Sequence, residues 1–153
     1  MDLILWRHAE AIELAESGND MDRHLTPKGE RQAARMSIWL DRVLPQGTRI
    51  FCSPATRCEQ TVMALGRRYK LREELSPNGQ GQEVLDLVQW PVAKGAVMVV
   101  GHQPYLGQVV AKLFDMKPGE CSIKKASVWW IKTKVHESDL QTSLHAVQSA
   151  DLV

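Results

Sequence analysis

The chain has 153 residues, 44% of them hydrophobic and 24% charged, enough for one soluble domain with a proper core. Its 19 Lys and Arg stand against 18 Asp and Glu, a formal net charge of +1, which excludes the broad basic footprint that nucleic acid or a membrane surface would require. Any anion site must therefore be assembled locally, from a few well-placed cations.

The opening residues carry an acid at position 2 and only four apolar residues between it and Arg7, unlike a signal peptide. No apolar run approaches the roughly 20 residues of a membrane span. Cys52, Cys58 and Cys121 are odd in number and lack metal-ligand spacing, so the expected setting is the cytoplasm, with reduced thiols. Cys58 falls on a predicted helix and reads as a spectator.

In chain order, Leu3-Ile4-Leu5-Trp6 marks residues 2–8 as a strand buried on both faces. Residues 11–25 are polar and irregular, with Ser17-Gly18-Asn19-Asp20 as a turn cluster. Thr26-Pro27 reads as an N-cap followed by proline at the first helical position. Ala33, Met36, Leu40 and Val43 then recur at helical spacing until Pro45 and Gly47. Residues 50–52 form a second strand. Ser53-Pro54 repeats the cap-plus-proline start, predicting a helix to about residue 69.

Residues 71–75 read as a third strand, residues 83–90 as a helix, and residues 96–100 as the clearest buried strand. A helix over 104–114 follows Gly101-His102-Gln103-Pro104. Residues 127–135 and 140–147 are late strands with no helix between them. Strands alternating with helices predict a three-layer α/β/α single domain over residues 1–153, with a mostly parallel sheet and an antiparallel edge near the C-terminus.

Three predicted strands end in polar residues: Arg7-His8, Ser53 to Arg57, and His102. In open α/β sheets ligands bind at the strands' carboxyl ends, so two arginines and two histidines should converge there. That set suits a phosphoryl group. Arginine's planar fork matches phosphate oxygens, and helix N-termini beyond Ser53 and Gln103 add backbone donors. Arg57, four residues into its predicted helix, can point back over that N-terminus. A neutral His8 imidazole can attack phosphorus in line and form a phosphohistidine that water then hydrolyses. His102 can act as a charged clamp, its protonation favoured by the bound dianion.

Taken singly, each motif reads blandly, as a polar rim, a structural turn or a helix start; their joint occurrence at three corresponding junctions carries the reading. Zinc held by His8, His102 and His24 is the competing arrangement, but two arginines in the same crevice would repel a dication. His136 and His145 read as surface residues, and the five tryptophans as packing, with Trp129 or Trp130 as a possible partner contact.

Arg7-His8-Ala9, Leu25-Thr26-Pro27-Lys28-Gly29 with Gln32-Ala33, the run from Ser53 to Thr61, and Gly101-His102-Gln103-Pro104 together resemble the histidine phosphatase (phosphoglycerate mutase-like) superfamily. The resemblance implies His8 as nucleophile, Arg7 and Arg57 as phosphate clamps, and His102 completing the pocket, with no cofactor and no metal. The short interval between Arg57 and His102 leaves little room for a lid insert. With the 22–26 and 74–79 segments it makes the chain most similar to compact SixA-type phosphohistidine phosphatases. A residue other than His is usual at position 24 in that subgroup.

By the same resemblance, Arg23 and Ser53 are further phosphate contacts, with a solvated surface role as the alternative for Arg23. Glu74 is a candidate general acid, with Glu73, Glu10 and Asp22 not excluded. The implied partner is a phosphorylated protein, such as a His-containing phosphotransfer domain of a sensor kinase, with no nucleic-acid or membrane partner. The enzyme is expected to be a cytoplasmic monomer. A small-molecule phosphomonoesterase and a catalytically silent phosphoprotein-binding module are the two alternatives.

Overall fold

The strand richest in apolar residues lies at the middle of the molecule. In a computed structural model that describes residues 1–153, β4 (Ala96–Gly101) is buried along its whole length. It pairs in parallel with β1 (Asp2–Arg7) on one side and β2 (Arg49–Cys52) on the other. β3 (Lys70–Leu71) extends the sheet beyond β2. β5 (Val128–His136) lies antiparallel to β1, and β6 (Asp139–Gln148) forms the opposite edge, giving the order β3-β2-β4-β1-β5-β6. The parallel core with an antiparallel C-terminal edge is as the patterning predicted.

Alternation along β1 separates two apolar layers. Ile4 and Trp6 pack with Met36 and Leu40 of α1 (Pro27–Val43) and with Cys58 and Val62 of α2 (Thr56–Met63). Leu3 and Leu5 face the other way, onto Val84 and Leu85 of α3 (Gly81–Leu87) and Leu106, Val109 and Val110 of α4 (Tyr105–Leu113). The buried Trp6 satisfies its indole N–H on the Ala126 carbonyl, and Trp130 uses the Asp2 carboxylate. The sequence reads both mainly as packing, with a partner contact as the alternative for Trp130, and both are buried. No helix is long and apolar enough to cross a membrane.

Register does the positioning. Arg7 lies beside Gly101 and Cys52 beside Val100, so β1, β2 and β4 end level with one another. The next residues are tied across the same edge, His8 N–H donating to the Gly101 carbonyl (3.1 Å) and Ser53 N–H to the Val100 carbonyl (3.0 Å). Thr26 caps α1 as predicted, accepting from Gly29 N–H at 3.0 Å. Gly29 has no substitute here: a Cβ on it would come within 1.9 Å of the Glu10 carbonyl oxygen.

Three sequence expectations need correction. Ser53-Pro54 does not start α2, which begins at Thr56 behind an extended Ala55 with no side-chain cap; Arg57 is thus in its first turn. The same helix stops at Met63 rather than near residue 69, because Gly66 takes a left-handed conformation (φ +70°) that ends it. The third strand pairs only at Lys70 and Leu71, after which a 3-10 turn over Glu73–Leu75 buries Leu75.

Candidate active site

At the level edge of β1, β2 and β4, the two histidine rings lie 5.2 Å apart, centroid to centroid, tilted by 56°. Both are buried. His8 Nδ1 lies 2.8 Å from the Ala9 carbonyl. A carbonyl only accepts, so Nδ1 carries the proton and Nε2 keeps its lone pair free. Burial above all, aided by the charges of Arg57, Arg7 and Lys125 and opposed by the Ala9 hydrogen bond, lowers the His8 pKa to about 3. The imidazole is neutral at any physiological pH.

Arg7 and Arg57 flank these rings. Arg7 donates Nη1 to the Ile123 carbonyl at 2.7 Å. Arg57 donates Nη1 to the Asp20 carbonyl at 2.8 Å and Nη2 to the Asp20 carboxylate at 3.0 Å. In each arginine Nε–H is buried with no protein acceptor. Such an orphaned donor costs roughly 1–3 kcal/mol, and a pair of them in one crevice fits an anionic oxygen ligand. Burial, then the Arg57 charge, lowers the Arg7 pKa, the expected result for two cations held close. Thr61 locks α2 to the loop after β1: its hydroxyl accepts from Ala9 N–H at 3.0 Å and donates to the Arg57 carbonyl at 2.7 Å.

His102 Nε2 sits 2.8 Å from the Ser53 hydroxyl, which also accepts from Ala55 N–H. Ser53 thus orients His102 rather than capping a helix. The Cys58 thiol lies 3.4 Å from the same nitrogen; burial pushes its pKa to about 12, so it remains a protonated thiol. Tyr105 stacks edge-on to His102 at 5.9 Å and donates its hydroxyl to the Leu75 carbonyl. Burial, followed by the charges of His8 and Arg57, lowers the His102 pKa to about 3. His102 is therefore neutral in the empty site, and a charged clamp requires the dianion itself to supply the compensating charge.

The other candidates fall outside this cluster. Arg23 donates Nε to the Ile12 carbonyl at 2.6 Å and Nη1 to Asp20 at 3.0 Å, so it stands behind Asp20. Glu74 is salt-bridged to Arg72 at 2.7 Å, which with its hydrogen bond lowers its pKa, the opposite of what a general acid at neutral pH requires. It faces an open depression with Glu83 and Asp86. His24 is exposed, its Nδ1 2.9 Å from the Leu25 carbonyl. Sequence reasoning missed Asp20, which lies in a 3-10 turn (Asp20–Asp22) capped by Asn19. The turn cluster was legible, but Arg57, one of the two partners of its carboxylate, lies 37 residues away.

Comparison with known proteins agrees with the chemistry. The family model of the histidine phosphatase superfamily (branch 1) matches residues 3–78. The phosphohistidine phosphatase SixA homolog of Haemophilus influenzae is 30% identical over 132 residues, covering 76% of this chain and 79% of that one. Phosphohistidine phosphatase SixA of Escherichia coli K12 is 30% identical over 128 residues, covering 78% and 76%. A solved structure of the protein histidine phosphatase SixA complexed with tungstate superposes with a TM-score of 0.74 at 26% identity, covering 99% of this chain and 98% of that one.

A neutral imidazole lies beside two arginines at the carboxyl edge of this sheet, and the chain belongs to the histidine phosphatase superfamily. Within that superfamily it is of the SixA type, and it is a phosphatase.

Proposed function

We propose that the protein, as one domain over residues 1–153, hydrolyses phosphohistidine on a protein partner through a covalent phospho-His8 intermediate. The observation that carries this is the His8 tautomer: Nδ1–H is engaged by Ala9, leaving the Nε2 lone pair free beside two arginines with unpartnered donors. In the first step Nε2 attacks phosphorus and the P–N bond to the substrate imidazole breaks. The leaving ring takes a proton from solvent. In the second step water attacks the phosphorus of phospho-His8, its proton leaves to solvent, and orthophosphate departs as Nε2 regains its lone pair. Arg7 and Arg57 stabilise the charge on the equatorial oxygens in both steps, and His102 holds a third side of the group.

A phosphoramidate substrate fits the engagement of Glu74 by Arg72. An imidazole leaves more readily than an alkoxide, so the salt-bridged Glu74 is not needed as a proton donor. The similarity to proteins named phosphohistidine phosphatases supports the same substrate class. A His-containing phosphotransfer domain of a sensor kinase, met by a cytoplasmic monomer, is the partner this reading implies.

The test offers the enzyme a radiolabelled phosphohistidine domain, quenched in alkali to preserve P–N bonds. Label should pass to the wild type and not to His8→Ala. Arg7→Ala and Arg57→Ala should each lose on the order of 10²-fold in rate, as when one oxyanion donor is removed. Equal or faster turnover of sugar or nucleotide phosphates would reject the protein substrate, and an unlabelled wild-type protein would reject the covalent route.

A further inference from the structure

A cleft of about 350 Å³ shares Arg7 with the phosphoryl pocket and is further lined by Glu10, Lys28, Lys124 and Lys125. Sharing Lys28, Gln32 and Asp151, it runs on into a depression of about 260 Å³ that adds Arg31 and Arg35. Lys28, Arg31, Arg35, Lys124 and Lys125 are all exposed, and none belongs to any of the chain's five salt bridges. The only carboxylate side chains lining the two depressions are Glu10, held by the Thr26 hydroxyl at 2.8 Å, and Asp151. A protein of net charge +1 has thus gathered five cations outside any ion pair onto one strip that shares Arg7 with its active site.

Folding does not call for this arrangement. Lys28, Arg31 and Arg35 share one face of α1 at i, i+3 and i+7, where like charges repel. Lys28 lies in the first turn of the helix, where its dipole favours acids. A local rule broken without structural compensation marks a functional surface. The stretch of α1 from Lys28 to Arg35 extends about 10 Å along the surface.

We propose that this strip docks an acidic surface of the phosphoprotein, with aspartates and glutamates beside the phosphohistidine meeting Lys28, Arg31, Arg35, Lys124 and Lys125. The inference rests on the proposed phosphohistidine activity and adds the partner's chemistry. The strip steers encounter and orients the phosphoryl group towards His8, and Arg31 and Arg35 contribute nothing to the chemical step.

The test compares wild type with an Arg31→Glu/Arg35→Glu variant, whose folding is checked by thermal melting, on a phosphorylated phosphotransfer domain and on free phosphohistidine. For the protein substrate, wild-type kcat/KM should fall steeply with added salt. The variant should lose at least tenfold, mainly through KM, and its salt dependence should flatten. For free phosphohistidine the two enzymes should agree within twofold. Equal losses on both substrates, or an unchanged rate on the protein, would overturn the docking face. So would an unchanged protein rate with lost binding to anionic vesicles or RNA, which would reassign the strip. A wild type that turns over free phosphohistidine and not the phosphoprotein overturns both the docking face and the protein-phosphatase reading, whereas salt-independent turnover of the phosphoprotein overturns the docking face alone.

Discussion

Arg57 directs both terminal nitrogens of its guanidinium at one residue, Asp20, taking its carbonyl oxygen at 2.8 Å and its carboxylate at 3.0 Å. The Asp20 carboxyl is held below its usual pKa first by the hydrogen bond from Arg23 and then by Arg57, so it is ionised in the free enzyme. An anion thus occupies the fork that the proposed mechanism assigns to the phosphoryl group.

Replacing Asp20 with Asn should therefore help anions bind. Removing a negative charge beside a dianion site, and freeing one donor of Arg57, should tighten inhibition by orthophosphate or tungstate several-fold. Because the Asp20 side chain is 53% exposed, the lost ion pair should cost about 1 kcal/mol or less of stability. Competition assays on Asp20→Asn measure the first effect and thermal melts the second; weaker inhibition would show that Asp20 positions Arg57 rather than competing for it.

His8 and His102 should give no titration between pH 8 and pH 5 in NMR spectra of the free enzyme, since both folded pKa values are lowered to about 3. The linkage has a defined sign. Below the ordinary histidine value near 6.5 the unfolded chain takes up protons that the folded chain refuses. The free enzyme should therefore lose stability as pH falls from about 6.5 towards 3, by up to about 1.4 kcal/mol per pH unit for each ring. Denaturant melts across that range would expose an error as a flat profile.

Gly29→Ala should destabilise the protein by about 1–3 kcal/mol. The added methyl would meet the Glu10 backbone oxygen at 1.9 Å, and that segment follows directly on His8 and Ala9. Activity should fall together with the melting temperature. A fall in neither would mean that α1 is free to move outward.

Glu74→Gln should leave hydrolysis of phosphohistidine within about twofold of wild type, because its carboxylate serves Arg72. A loss on the order of 10²-fold would identify it as the acid, by the usual worth of a positioned proton donor.

Local patterning made much of this molecule legible. The buried run at 96–100, the Thr26-Pro27 cap and the strand-end residues Arg7, His8 and His102 were readable because strand burial, helix capping and chain punctuation depend on neighbours in sequence. Ser53 was misread for the same reason. A serine before proline looks like a cap, and only the approach of His102 at 2.8 Å gives its hydroxyl a different partner.

What the sequence determined alone was the set of chemical groups and the strand that carries each, since apolar runs select buried strands and the polar residue ending each run is then bound for one edge of the sheet. Tertiary structure decided which of those groups touch. The level register of β1, β2 and β4 brings His8 to 5.2 Å from His102, pairs Arg57 with Asp20, and leaves Glu74 to Arg72. Hydrogen bonds and ion pairs depend on distances of a few tenths of an ångström between segments far apart in the chain, and periodicity carries no information about those distances.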